Sequence, residues 1–158
     1  FPLRITHEQI CARPWAGFYF PHPTWMGRIG WFRRYRYREG ILRAQDQDLL
    51  LRSYRESRFA ALSEILLGYR LERLSLRRIL LGRYYFSQAL LQEFRASMDW
   101  RLIAGLVEQP LKAVVDIFAI CSGANLRLLR HRALPVDDQT RTVWNDIWVR
   151  FSAQAPNL

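Results

Sequence analysis

The chain has 158 residues, half of them hydrophobic and 14% aromatic, which is enough to bury one core and too apolar for an intrinsically disordered segment. Its net charge of +10 rests almost wholly on arginine, Lys112 being the only lysine, so its natural counterparts are phosphates and carboxylates, which a planar guanidinium grips with paired hydrogen bonds. Cys11 and Cys121 stand far apart, and His7, His22 and His131 are scattered without metal-ligand spacing, which leaves out a zinc finger, a disulfide framework and a Cys/His nucleophile pair.

From its first residue the chain has neither the basic start and continuous apolar run of a signal peptide nor the composition of a transit peptide. No stretch reaches the roughly 18 uninterrupted apolar residues of a membrane-spanning helix. The expectation is a soluble chain that begins inside a longer gene, and its two unpaired thiols fit a reducing cytoplasm.

Residues 14 to 70 mix aromatic, extended-looking segments with one short helix, read from "RAQDQDLLLRSYRES" and starting between Ala44 and Asp46. Leu50, Leu51 and Tyr54 are available to face a core. Acids in a first helical turn meet unpaired amide N–H groups and the positive end of the macrodipole. Asp46 and Asp48 therefore admit two readings: a solvated helix start, or a general base held there. Two residues apart on a helix, they point about 200° away from each other, so only one can face a pocket.

Beyond Leu71 the pattern becomes successive amphipathic helices. Ser75 is placed to cap one carrying Leu76, Ile79, Leu80, Tyr84 and Leu91 on a face. The next has Ile103, Leu106, Val107, Leu111, Val114, Val115 and Phe118 in one stripe, with Glu108, Lys112 and Asp116 on the other. Pro110 is expected to bend or divide it, and "SGAN" at Ser122 to Asn125 to stop or kink it. Asp137 or Asp138 can cap a last helix bearing Val143, Trp144, Ile147, Trp148 and Phe151. Arginines at 127, 130, 132, 141 and 150 flank these apolar faces, which suit a core, a subunit interface or an in-plane membrane helix.

The order "HPTWMGRIGWFRRYRYREG", a short gap, then "AQDQDLLLRSYRESRFAALSEILLGYR" resembles the second half of the catalytic domain of family-2 glycosyltransferases, inverting enzymes of GT-A fold. The matching positions are His22, Pro23, Thr24, Arg28, Tyr37, Gln45, Asp46, Asp48, Leu49, Leu51, Arg52, Ile65, Leu66, Leu67, Tyr69 and Arg70. They cover roughly residues 17 to 70.

The resemblance implies an α+β, mostly helical chain, with a few strands from the edge of a GT-A sheet around residues 18 to 37 and 59 to 70. Residues 1–71 would be the C-terminal part of a catalytic domain and residues 72–158 an all-helical extension. It implies Asp46 as the catalytic base, Gln45 and Asp48 in support, and His22, Thr24, Trp25, Arg28 and Tyr37 beside donor or acceptor. Gln45 stands where Glu is more usual, which keeps a hydrogen-bonding side chain and removes a charge.

No Asp-x-Asp metal motif and no βαβ units precede this region. The Mg²⁺ or Mn²⁺ that the family holds against the donor diphosphate would therefore come with a part of the enzyme outside this chain, and the chain alone would be inactive. The partners implied are a nucleotide sugar and a carbohydrate or lipid-linked acceptor, in cell-surface polysaccharide or glycolipid synthesis, without nucleic acid. The expected location is the cytoplasm, including the inner face of the membrane, and an open sheet edge would invite a second copy of the chain. The alternative is a non-enzymatic arginine-rich helical module that binds nucleic acid or an anionic membrane through phosphates.

Overall fold

A computed structural model of the chain describes residues 4–64, 75–124 and 137–154. In order it contains α1 (His7–Ile10), 3-10 turns at Pro14–Ala16 and His22–Thr24, α2 (Ile29–Arg34), α3 (Gln45–Ser53), a 3-10 turn at Tyr54–Glu56, α4 (Leu76–Ser97), α5 (Arg101–Cys121) and α6 (Asp138–Gln154).

Among the described residues there is no strand, which overturns the expected α+β architecture with sheet-edge strands at 18 to 37 and 59 to 70. Positions 65 to 70 of the second strand lie outside the described residues. The reason lies in where the extended backbone finds its partners. The amide of Gln47 accepts from the Phe18 N–H at 2.7 Å and donates to the Phe18 carbonyl at 3.2 Å. Arg52 Nη2 donates to the Arg36 carbonyl at 2.7 Å and the Trp25 indole to the Phe20 carbonyl at 3.0 Å. Side chains supply what a neighbouring strand would have supplied. Among the described residues there is therefore no open sheet edge to call for a second copy.

The aromatic residues pack instead as a sideways cluster. Phe20 stacks on Trp25 at 5.8 Å, and Phe59 meets Phe20, Trp31 and His7 at 5.6, 6.3 and 5.7 Å. Aromatic β-propensity reflects a fit to half-buried surfaces, and this cluster satisfies it without a ladder.

α3 begins after Ala44, which adopts the left-handed conformation at φ 57° and offers no side-chain cap. Leu49, Leu50 and Leu51 are fully buried. Ser75 does cap α4, its hydroxyl accepting from Arg78 N–H at 3.4 Å. Asp137 caps α6 through the Thr140 N–H at 2.8 Å. α5 runs unbroken through Pro110, so the expected division does not occur, and Gly123, at φ 75°, follows its end.

α4 and α5 form an antiparallel hairpin joined at Met98–Trp100. Its near half carries Phe86, Ala89, Leu90 and Leu102, which share one core with Ile10, Phe18, Leu50, Leu51 and Tyr54. The core thus draws on residues from both sides of Leu71. The tightest contact is at Gly105, where an added Cβ would lie 2.6 Å from the Trp15 carbonyl oxygen and 2.9 Å from Leu90. Only glycine lets the Pro14–Ala16 turn sit on α5.

Most of the α5 stripe, which suited a core, a subunit interface or an in-plane membrane helix, faces out. Val107, Leu111, Val114, Val115 and Phe118 are exposed, whereas Leu102, Gly105, Gln109 and Asp116 are buried. Asp116, expected on the polar outer face, instead accepts from Arg83 Nε of α4 at 2.7 Å. Among the described residues no helix is long and apolar enough to cross a membrane.

Two outcomes follow from this packing. Gly105→Ala should lower the unfolding free energy by about 1–3 kcal/mol, since neither backbone oxygen nor Leu90 has room to give, measured by urea unfolding followed by tryptophan fluorescence. The hairpin turn adds a pH dependence: hydrogen bonds from Arg101, with Arg55 also nearby, hold the Asp99 carboxyl at about 2 against an ordinary 3.8. A depressed carboxyl stabilises the fold above its ordinary value and loses that contribution as pH falls toward the folded value. Melting temperature should therefore drop between about pH 4 and 2, and drop less in Asp99→Asn.

Candidate functional site

The start of α3 places its two acids differently. Asp48 is 1% exposed, and each of its oxygens is taken: Arg38 Nη1 donates to Oδ1 at 2.9 Å and Arg52 Nε to Oδ2 at 3.0 Å. Arg38 also donates to Gln92 of α4. A carboxylate this enclosed needs such partners, because desolvation without them would exceed any gain.

Asp46 sits one turn-position away, half-buried, with the Gln47 amide 3.5 Å from Oδ2. Its charge is felt by Tyr37, whose phenol is pushed above its ordinary value by burial first and by Asp46 second. The Tyr37 hydroxyl and His22 Nε2 lie 2.8 Å apart. The His22 ring meets Trp25 edge-on at 5.0 Å and Tyr37 at 5.9 Å. Tyr37, His22 and Trp25 therefore form one cluster, with the Asp46 charge within electrostatic reach of Tyr37.

The scaffold for Tyr37 is the Asp48 network. Arg52 holds the carbonyl of Arg36, and Asp48 holds the side chain of Arg38. The residue between them is thereby presented to His22 and Asp46. Both ends of the short segment are tied to α3, which leaves Tyr37 little freedom.

Beyond Trp25 the surface falls into a cleft of about 510 Å³. Trp25, Trp31 and Phe32 give it aromatic walls, and Arg28, Glu56 and Arg58 give it charge. Trp31 is fixed by its indole N–H donating to Ser57 Oγ at 2.8 Å. Walls of this kind suit a ligand with apolar faces and hydroxyl edges, such as a sugar ring.

The remaining expected residues are placed as follows. Gln45 is exposed and donates to the Ile41 carbonyl at 2.7 Å, bracing the approach to α3. Thr24 turns its hydroxyl back to the Pro21 carbonyl at 2.7 Å, which stabilises the His22–Thr24 turn. Arg28 precedes α2 and lines the cleft. Ile65, Leu66, Leu67, Tyr69 and Arg70 lie outside the described residues.

No family model, curated protein or solved structure matches this chain. Its chemistry is accordingly read from its own residues. Among the described residues no three His, Cys, Asp or Glu side chains converge as a metal site. The Asp46-Gln47-Asp48 triplet does not suit Mg²⁺ or Mn²⁺, because both oxygens of Asp48 are occupied by arginines. No step is assigned to a metal at these residues.

Sequence reasoning passed over Arg38 and Gln47. Arg38 was one of several arginines in "RRYRYRE", and only its distance in space from Asp48 distinguishes it. Gln47 read as a spacer between acids, yet its amide substitutes for a strand.

Asp48→Ala should destabilise the fold by about 2–4 kcal/mol, by leaving two arginines without their shared acceptor. Asp46→Asn should stay within about 0.5 kcal/mol of the parent, as expected for a half-exposed side chain with one weak contact. Urea titrations of the two variants distinguish a structural carboxylate from an available one.

Proposed function

We propose that this chain supplies the acceptor side of an inverting glycosyltransferase, with Asp46 as its general base. The observation that carries the reading is the division of labour within one triplet. Asp48 is withdrawn into ion pairs that build the site, while Asp46 is left half-buried with its charge felt by Tyr37, which meets His22, and His22 in turn meets Trp25 at the wall of an aromatic cleft.

An acceptor hydroxyl is a poor nucleophile until its proton has somewhere to go. Asp46 accepts that proton as the hydroxyl oxygen attacks the anomeric carbon of a nucleotide sugar. The new carbon–oxygen bond forms while the bond to the diphosphate breaks, the electron pair leaves with the diphosphate, and the configuration inverts. The Tyr37 hydroxyl, fixed by His22, offers a second hydrogen-bonding group to the same acceptor. Trp25 and Trp31 stack on the acceptor sugar, and Arg28 and Arg58 border it.

In this reading the donor's diphosphate, with its Mg²⁺ or Mn²⁺, is held by residues other than those described here. The acceptor is a carbohydrate or a lipid-linked sugar, and the site faces the cytoplasm.

The test is sugar transfer by the enzyme containing this chain together with its donor-binding part. Asp46→Asn should cut turnover by about 10²–10⁴-fold, the scale of a lost general base, with an unchanged melting temperature. Undiminished transfer by that variant rejects the assignment.

A further inference from the structure

The far half of the α4–α5 hairpin, beyond the core, is built inside out. Its polar groups face inward: Arg83 donates from Nε to Asp116 Oδ2 at 2.7 Å and from Nη1 to Gln109 Oε1 at 3.0 Å. Asp116 is 3% exposed and Gln109 4%. Outward stand Leu111, Val114, Val115 and Phe118, the last 77% exposed. Together with Val107 they repeat at the spacing of one helical stripe. On α4 of the same end, Leu76, Leu80, Leu81 and Tyr84 line an apolar depression with Arg77 at its edge.

Water favours the opposite arrangement, with charges outside and apolar groups within. A bilayer surface favours this one, since hydrocarbon takes the stripe while the hairpin satisfies its own polar groups internally. Charge selects the kind of bilayer. The chain carries a net charge of +10, and at this end Arg77 and Arg78 stand exposed, while Arg83 is paired with buried Asp116 and Lys112 with Glu108. An apolar face with exposed arginines at the same end, on a chain of high positive charge, matches anionic headgroups above acyl chains.

We infer that the far half of the hairpin docks in the plane of an anionic phospholipid membrane, with the Leu111, Val114, Val115 and Phe118 stripe in the acyl boundary and arginines on lipid phosphates. Nucleic acid would satisfy the arginines and leave the stripe in water. This docking stands apart from the sugar-transfer reading and does not require it.

The experiment is co-sedimentation of the full chain with vesicles of phosphatidylcholine alone and of phosphatidylcholine with phosphatidylglycerol at 1:1. Binding should be at least tenfold tighter to the mixed vesicles, weaken in 0.5 M salt without vanishing, and fall at least tenfold in V115E/F118E. Both substitutions lie at exposed positions, and an unchanged circular dichroism melt shows that the variant folds. R77Q/R78Q, with the stripe intact, should lose preference for the anionic vesicles while keeping residual binding.

Three results overturn the inference. One is equal binding of V115E/F118E and the parent. Another is absence of vesicle binding together with a dimer, seen by analytical ultracentrifugation, that V115E/F118E dissociates, which gives the stripe to a second copy. The third is absence of vesicle binding by a monomer, or tight retention of duplex DNA in its place.

Discussion

Asp48 is a buried carboxylate whose two oxygens are each claimed by a guanidinium, and much of the first half of the molecule takes its position from that arrangement. Burying the charge is tolerable only because both arginines and their further contacts complete its shell. Those further contacts spread the effect outward. Arg52 reaches the Arg36 carbonyl, and Arg38 reaches Gln92 on the long hairpin. One ionised group thereby ties α3, the segment around Tyr37 and α4 together. The neighbouring acid, Asp46, takes little part in this network, its partner being the Gln47 amide at 3.5 Å.

The helix boundaries were largely open to reading because they are set by local chemistry. Ser75 and Asp137 satisfy amides three residues away, and the glycine at 123 sits where a helix must give way. The extended segments misled for an equally physical reason. Aromatic density between residues 18 and 37 marks half-buried surface, and a sheet is only one way to provide it. Gln47 provides another, through contacts 29 residues distant in sequence. Periodicity contains no trace of such a pairing.

At the site, the Asp-x-Asp triplet and the aromatic residues before it were visible as types, and their convergence was not. Asp48 to Arg52 follows helical spacing, whereas Asp48 to Arg38 crosses a loop. The apolar stripe of α5 suited a core, an interface or a membrane surface, and its spacing alone does not decide which. The inward face is marked instead by Gly105, Gln109 and Asp116, whose reason appears only with Arg83 of the other helix in place. A single helix read alone cannot announce that its charges are spoken for.

The absence of a side chain at Gly105 sets a fixed, short separation between α5 and the Pro14–Ala16 turn. A seam filled by flexible side chains would absorb small displacements, but backbone resting on backbone does not. Reorientation of the hairpin is therefore handed on to the Trp15 turn, and from there along a few residues to Phe18, clamped on α3 by Gln47. The far half of the hairpin and the start of α3 are thus joined through a short run of chain with no flexible side chain at the Gly105 seam.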